Sequence, residues 1–141
     1  MFPKMDRQLT LIEGRGIVLH SISGSMRLTR IGDSMEFPGE EALNVELIDG
    51  PARVCNVIVR RGVSRGNAQL YRGPAAVQYG YNIAVVVAGE FALCVPLQPD
   101  EIVRAGDGIH VERYVDAPFL RPLSDDSAVL CTVIHSPVTR L

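Results

Sequence analysis

Asp6-Arg7-Gln8-Leu9-Thr10-Leu11-Ile12-Glu13-Gly14-Arg15-Gly16 sets the architecture of this 141-residue chain. Side chains alternate along an extended backbone, so Arg7, Leu9 and Leu11 share one face while Gln8, Thr10 and Ile12 share the other. The run reads as a strand over residues 8–13, ended by two glycines that suit a tight reversal. The same rhythm recurs, predicting strands over 16–20, 25–30, 42–48, 53–61, 82–88, 91–95, 108–114 and 128–135. The 13 Gly and 9 Pro leave few unbroken windows of helical length, so the fold class is all-β. One short helical turn is expected at Pro99-Asp100-Glu101-Ile102, where Pro fits the first helical position and acids suit that end. Residues 40–48 alternate better than they spiral and are read as strand, with Leu43, Val45 and Leu47 facing one way.

Many short antiparallel strands must close or stack to hide their edges, and a jelly-roll barrel is the expected solution. The polar, breaker-rich interval 62–81 divides the chain into a first half (1–62), a connecting segment (63–80) and a second half (81–141). Arg30-Ile31-Gly32-Asp33 and Arg104-Ala105-Gly106-Asp107 form a faint repeat, R-x-G-D, each beside a predicted strand. Asp49-Gly50-Pro51 reads as a turn.

With 47% hydrophobic and 21% charged residues, the composition describes one folded domain whose length needs no disulfide or metal staple. A net charge of -2 offers no broad positive field, so nucleic acid and anionic membranes are not expected partners. Residues 1–8 lack the apolar core of a signal peptide, and no apolar run approaches the ~20 residues of a membrane span. Cys55, Cys94 and Cys131 lie in apolar runs without a C-x-x-C, which fits reduced thiols and a cytoplasmic location.

Chemistry has few footholds. His20, His110 and His135 stand on separate segments with no paired-ligand spacing, so no metal is expected. Ser23-Gly24-Ser25 is a turn rather than a nucleophile elbow, and no glycine cluster precedes a long helical pattern, so no nucleotide cofactor is expected either. What remains are polar residues on otherwise aliphatic strand faces: Arg7 beside Leu9 and Leu11, and Asn56 and Arg60 beside Ile58. A guanidinium turned inward needs an anionic partner for its donors. Two readings stand. Arg7 ends its strand at the rim and pairs with Asp6 or another acid, or Arg7, Arg60 and Asn56 wall a small cavity for a carboxylate or amide ligand. For Asn56, satisfying backbone near the 49–51 turn is a further alternative.

Three blocks bear a likeness beyond these patterns. They are Phe2-Pro3-x-x-Asp6-Arg7-x-Leu9-Thr10-Leu11-Ile12-Glu13-Gly14-x-Gly16, Phe37-x-Gly39-Glu40, and Leu47-Ile48-Asp49-Gly50-Pro51-x-Arg53-x-x-Asn56-Val57-x-Val59-Arg60-Arg61-Gly62. In order and spacing they resemble the HutD/Ves family, strongly over about the first sixty residues and loosely beyond. The resemblance implies a bicupin, two cupin-like β halves in one chain. It also implies a place in histidine utilisation and a non-enzymatic role in binding or sensing an intermediate such as formylglutamate. That molecule's carboxylates and formamide suit Arg7, Arg60 and Asn56. Two departures stand out. The family's earlier Trp-Lys-Asn-Gly-Gly-Gly type motif has no counterpart here, so the usual N-terminal segment is expected to be missing, with open edges to be covered by a second subunit, as in a homodimer, by rearrangement, or by residues outside this sequence. Val54 and Cys55 stand where the family has Asp and an apolar residue, removing an acid from the site. The competing readings are a cupin-type enzyme of amino-acid catabolism and a structural or interaction module with a filled barrel.

Overall fold

The structure, a computed structural model, describes residues 1–76, 81–110 and 118–136. It is all-β among those residues, and the chain divides into two compact units: residues 1–67 with 135–141, and residues 68–134.

Unit 1 begins with β1 (Met5–Glu13), which is central in a sheet with β4 (Ser34–Pro38) and β6 (Arg53–Arg60), all antiparallel. A second sheet places β2 (Ile17–Ser21) between β3 (Gly24–Leu28) and β5 (Asn44–Leu47). The period-2 pattern of β1 works as read: Leu9 and Leu11 turn toward Ile17, Leu19, Leu28 and Phe37, forming one buried apolar cluster shared by the two sheets. Gln8 and Thr10, on the other face, are also buried. Gly14 makes the β1–β2 reversal at φ +101°, and a Cβ there would lie 2.5 Å from the Pro51 carbonyl oxygen.

Unit 2 repeats the order. β9 (Tyr81–Ala88) lies between β12 (Gly108–His110) and β14 (Ala128–His135), with β7 (Arg65–Tyr71) beyond β14. β10 (Glu90–Cys94) lies between β11 (Glu101–Arg104) and β13 (Phe119–Pro122), with β8 (Ala75–Ala76) beyond β13. Its core is built from Phe91, Val86, Leu120, Val129 and Cys131, among others.

The R-x-G-D repeat is one turn built twice. Asp33 Oδ2 accepts the Arg30 N–H at 2.9 Å, and Asp107 Oδ2 accepts the Arg104 N–H at 2.8 Å. The intervening Gly32 and Gly106 take φ of +101° and +98°. Each turn then exchanges two backbone hydrogen bonds with a central strand, through Leu11 in unit 1 and Val86 in unit 2. The backbone N–H groups of Arg30 and Thr29 hold the Asp33 carboxyl below its ordinary pKa.

Several expectations need correction. The helical turn at 99–102 does not form: Glu101 and Ile102 pair with Leu93 and Ala92, because β-branched Ile102 and Val103 extend the edge of an existing sheet. Strands β4, β7, β8, β11 and β13 add to those predicted, two of them inside the 63–80 interval. Thr29 and Arg30, expected at the end of a strand, belong to the Asp33 turn instead. Residues 111–114 of the predicted 108–114 strand, and 77–80 of the connecting interval, lie outside the described residues.

One buried group is left wanting. Thr10 Oγ1 has no hydrogen-bond partner among the described residues although Thr10 is 1% exposed. Leaving a hydroxyl unsatisfied costs about 1–3 kcal/mol. Thr10→Val is therefore expected to raise stability by about 1 kcal/mol in urea unfolding; a loss of stability would show that the hydroxyl is satisfied.

Candidate functional site

The antiparallel register fixes what shares a face with Arg7. Arg7 sits opposite Phe37 on β4 and Ile58 on β6, while Met5 and Leu9 sit opposite Arg60 and Asn56. Arg7, Phe37, Asn56, Ile58 and Arg60 therefore occupy the same face as the buried Leu9 and Leu11, the side turned toward the second sheet.

Arg7 is half-buried, and its guanidinium lies between two rings, 5.1 Å from the centre of Phe2 and 4.7 Å from that of Phe37. Stacking of this kind contributes about 0.5–2 kcal/mol and fixes the plane of the fork. Its Nε donates to Asn56 Oδ1 at 3.4 Å. Among the described residues no carboxylate lies within ion-pair distance of it. The rim pairing with Asp6 is thus corrected. Asp6 points from the opposite face and pairs with Arg61 Nε at 2.6 Å. Asn56 likewise serves Arg7, with no hydrogen bond to the 49–51 turn among the described residues. Arg60 is on the same face but exposed, and its side chain makes no hydrogen bond to Arg7 or Asn56.

Sequence reasoning missed the aromatic partners, and the structure shows why they arrive. Phe2 belongs to an arm whose N–H donates to the Gly39 carbonyl at 2.8 Å, while the Gly39 N–H returns to Met5 O at 2.8 Å. A Cβ at Gly39 would lie 2.2 Å from Phe2 O, so only glycine lets the arm lie down there. Glu40 secures it, accepting the Lys4 N–H at 2.6 Å and the Arg61 Nη2 at 2.8 Å. The Phe2, Phe37-x-Gly39-Glu40 and Arg60-Arg61-Gly62 blocks thus converge on one arm that places a ring over Arg7.

That clamp titrates. The Arg61 guanidinium, helped by the Lys4 N–H, lowers the Glu40 carboxyl to about 2 from an ordinary 4.5. Because the unfolded chain takes up this proton first, the clamp's contribution is complete above about pH 4.5 and is lost as pH falls toward 2. Glu40→Gln is expected to flatten the acid limb of a stability–pH curve over that window; an unchanged slope would contradict the clamp.

Several apolar side chains on the inner faces of unit 1 are exposed. Val45 and Leu47 sit opposite Leu19 and Ile17, and so face the same core, yet are 55% and 56% exposed. Val54 and Ile58 on β6 are also exposed. In unit 2 the matching positions are closed: by register, Val54 and Asn56 correspond to Val129 and Cys131, both fully buried. Only unit 1, among the described residues, opens its inner face at the sixth strand of its set.

Other groups are accounted for. His20 bonds Ser25 Oγ at 2.7 Å and Glu46 Oε2 at 3.3 Å. No cluster of three or more His, Cys, Asp or Glu poised for a metal occurs among the described residues. The three cysteines are free, and burial pushes the Cys131 thiol up to about 11, so it is inert as a nucleophile. Among the described residues no helix is long and apolar enough to cross a membrane.

A family model described as HutD matches residues 1–130, nearly the whole chain. The chain belongs to the HutD family. No curated protein matches it. Among solved structures, this HutD chain is similar to a conserved protein of unknown function, PA5104, from Pseudomonas aeruginosa PAO1, with TM-score 0.78, 20% identity, and coverage of 96% of this chain and 74% of that one. It is also similar to HutD from Pseudomonas fluorescens SBW25, with TM-score 0.71, 19% identity, and coverage of 96% and 71%. Protein Ylba from E. coli follows at TM-score 0.66 and 8% identity, covering 99% and 71%. At these identities the likeness gives the fold, all-β and cupin-like.

Proposed function

We propose that this HutD protein is a non-enzymatic, cytoplasmic binding protein of histidine utilisation. Its two units would be the halves of a bicupin, and unit 1 would take a carboxylate-bearing intermediate such as formylglutamate, with a regulatory consequence. The observation that carries this reading is Arg7: a half-buried guanidinium on the inner face, stacked between Phe2 and Phe37, with Asn56 on Nε and no described carboxylate to neutralise it. Asn56 occupies the Nε side, so the two terminal nitrogens remain for an end-on bidentate carboxylate. Exposed Arg60 on the same face suits the second carboxylate of such a ligand. Family membership supports the pathway, and the three free cysteines fit a reducing compartment.

A thermal-shift panel tests the reading. Formylglutamate at one hundred times its dissociation constant should stabilise the fold by about 2.7 kcal/mol, whereas its diamide should not. The apolar cluster of unit 1 favours a second reading, an interaction module with a filled barrel. No shift from any pathway carboxylate would favour that module and remove the first reading.

A further inference from the structure

The turn leading out of β6 borders a recess on the face of β1 that carries Asp6 rather than Arg7. Its volume is about 570 Å³, within the range of small-molecule sites (about 300–1,000 Å³). The walls include Asp6, Arg61, Val63, Ser64, Arg65 and His135, all from unit 1. Their charges are unequal in a telling way. Asp6 is paired with Arg61, which is shared with Glu40 and also donates to the Met5 carbonyl. Arg65 and His135 are exposed, and neither side chain has a hydrogen bond or ion pair among the described residues. Ser64 Oγ lies 3.2 Å from Ser136 Oγ, so this pair shares one proton and has a second to offer. The frame beneath them is fixed: Gly62 turns at φ +75°, and the Val63 and Ser64 N–H groups both donate to Arg60 O.

The geometry points to a second ligand site in this recess: a seat for a small organic molecule bearing an oxyanion, carboxylate or phosphate, held by Arg65, His135 and the Ser64 hydroxyl. A guanidinium, an imidazole and a hydroxyl are donors suited to such a group. Val63, 50% exposed, gives the rest of the molecule an apolar wall, and the volume exceeds what a bare ion needs. The site is separate from Arg7 and does not depend on its role.

Titration of the full chain with inorganic phosphate and, separately, acetate tests this by NMR at constant ionic strength, with chloride as the balancing anion. Saturable shifts are expected at the amides of residues 62–65 and the ring of His135 for one or both probes, and the responding probe identifies the oxyanion. Arg65→Gln and His135→Gln should each weaken that binding at least ten-fold. Arg7→Met should leave it within two-fold. Shifts reproduced by chloride, failure to saturate with both probes, or wild-type titration in Arg65→Gln would overturn the site. Loss of binding in Arg7→Met would overturn its independence from the first.

Discussion

Phe91→Ala is expected to destabilise the protein by about 3–5 kcal/mol, the cost of deleting a large side chain from a core that collapses only partly. Phe91 is 0% exposed and stands on β10, opposite Val103 on β11 and Pro122 on β13. It is the largest fully buried side chain described, packed with Val86, Leu120 and Val129. Equilibrium urea unfolding gives the number, and the loss is a large part of the 5–15 kcal/mol that holds an ordinary domain together. A cost under about 1 kcal/mol would mean that the cluster of unit 2 is not its core.

Arg7→Met should abolish stabilisation by formylglutamate while leaving the unliganded fold within about 1 kcal/mol of wild type. Methionine replaces the aliphatic stem of the side chain and can keep a favourable sulfur contact with the Phe2 and Phe37 rings, so the arm stays seated. What disappears is the cation and its fork. Arg7→Lys separates the two: charge survives, but the planar pair of donors does not, and an intermediate response is expected. A shift undiminished in Arg7→Met, measured on folded protein, would place the ligand elsewhere.

The legibility of this molecule follows how local each determinant is. The alternation of β1 was readable because one strand carries its whole pattern, and parity alone turned Arg7 inward with Leu9 and Leu11. The R-x-G-D repeat was visible as a repeat but not as a turn: Arg30 was read as the end of a strand, because the aspartate's hydrogen bonds to backbone three residues back leave no mark on the alternation pattern. β4 and β7 were missed because their pairing comes from distant strands: β7 begins Arg65-Gly66-Asn67, a poor strand sequence, and lies at the edge of the sheet beside β14. Pro99 misled for a similar reason, since the edge of β10 offered Glu101–Arg104 a ladder that no local propensity announces. Within the site, Arg7 and Asn56 were found together, but Phe2 and Gly39 were not. Their role depends on an arm crossing 37 residues of sequence, held by a glycine whose missing Cβ matters only once the arm is there. The Asp6–Arg61 pair spans 55 residues and could not be read from Asp6 and Arg7 as neighbours.

The central assertion, that Arg7 is the anchor for a carboxylate, is tested most directly at its own nitrogen. Arginine Nε–Hε resonances, assigned with the Arg7→Met variant, can be followed by NMR while formylglutamate is added. The Arg7 signal and the Asn56 side-chain amide should move together and saturate with one dissociation constant that matches the thermal shift. Saturable binding with both signals unmoved, or no binding at all, would contradict the assignment.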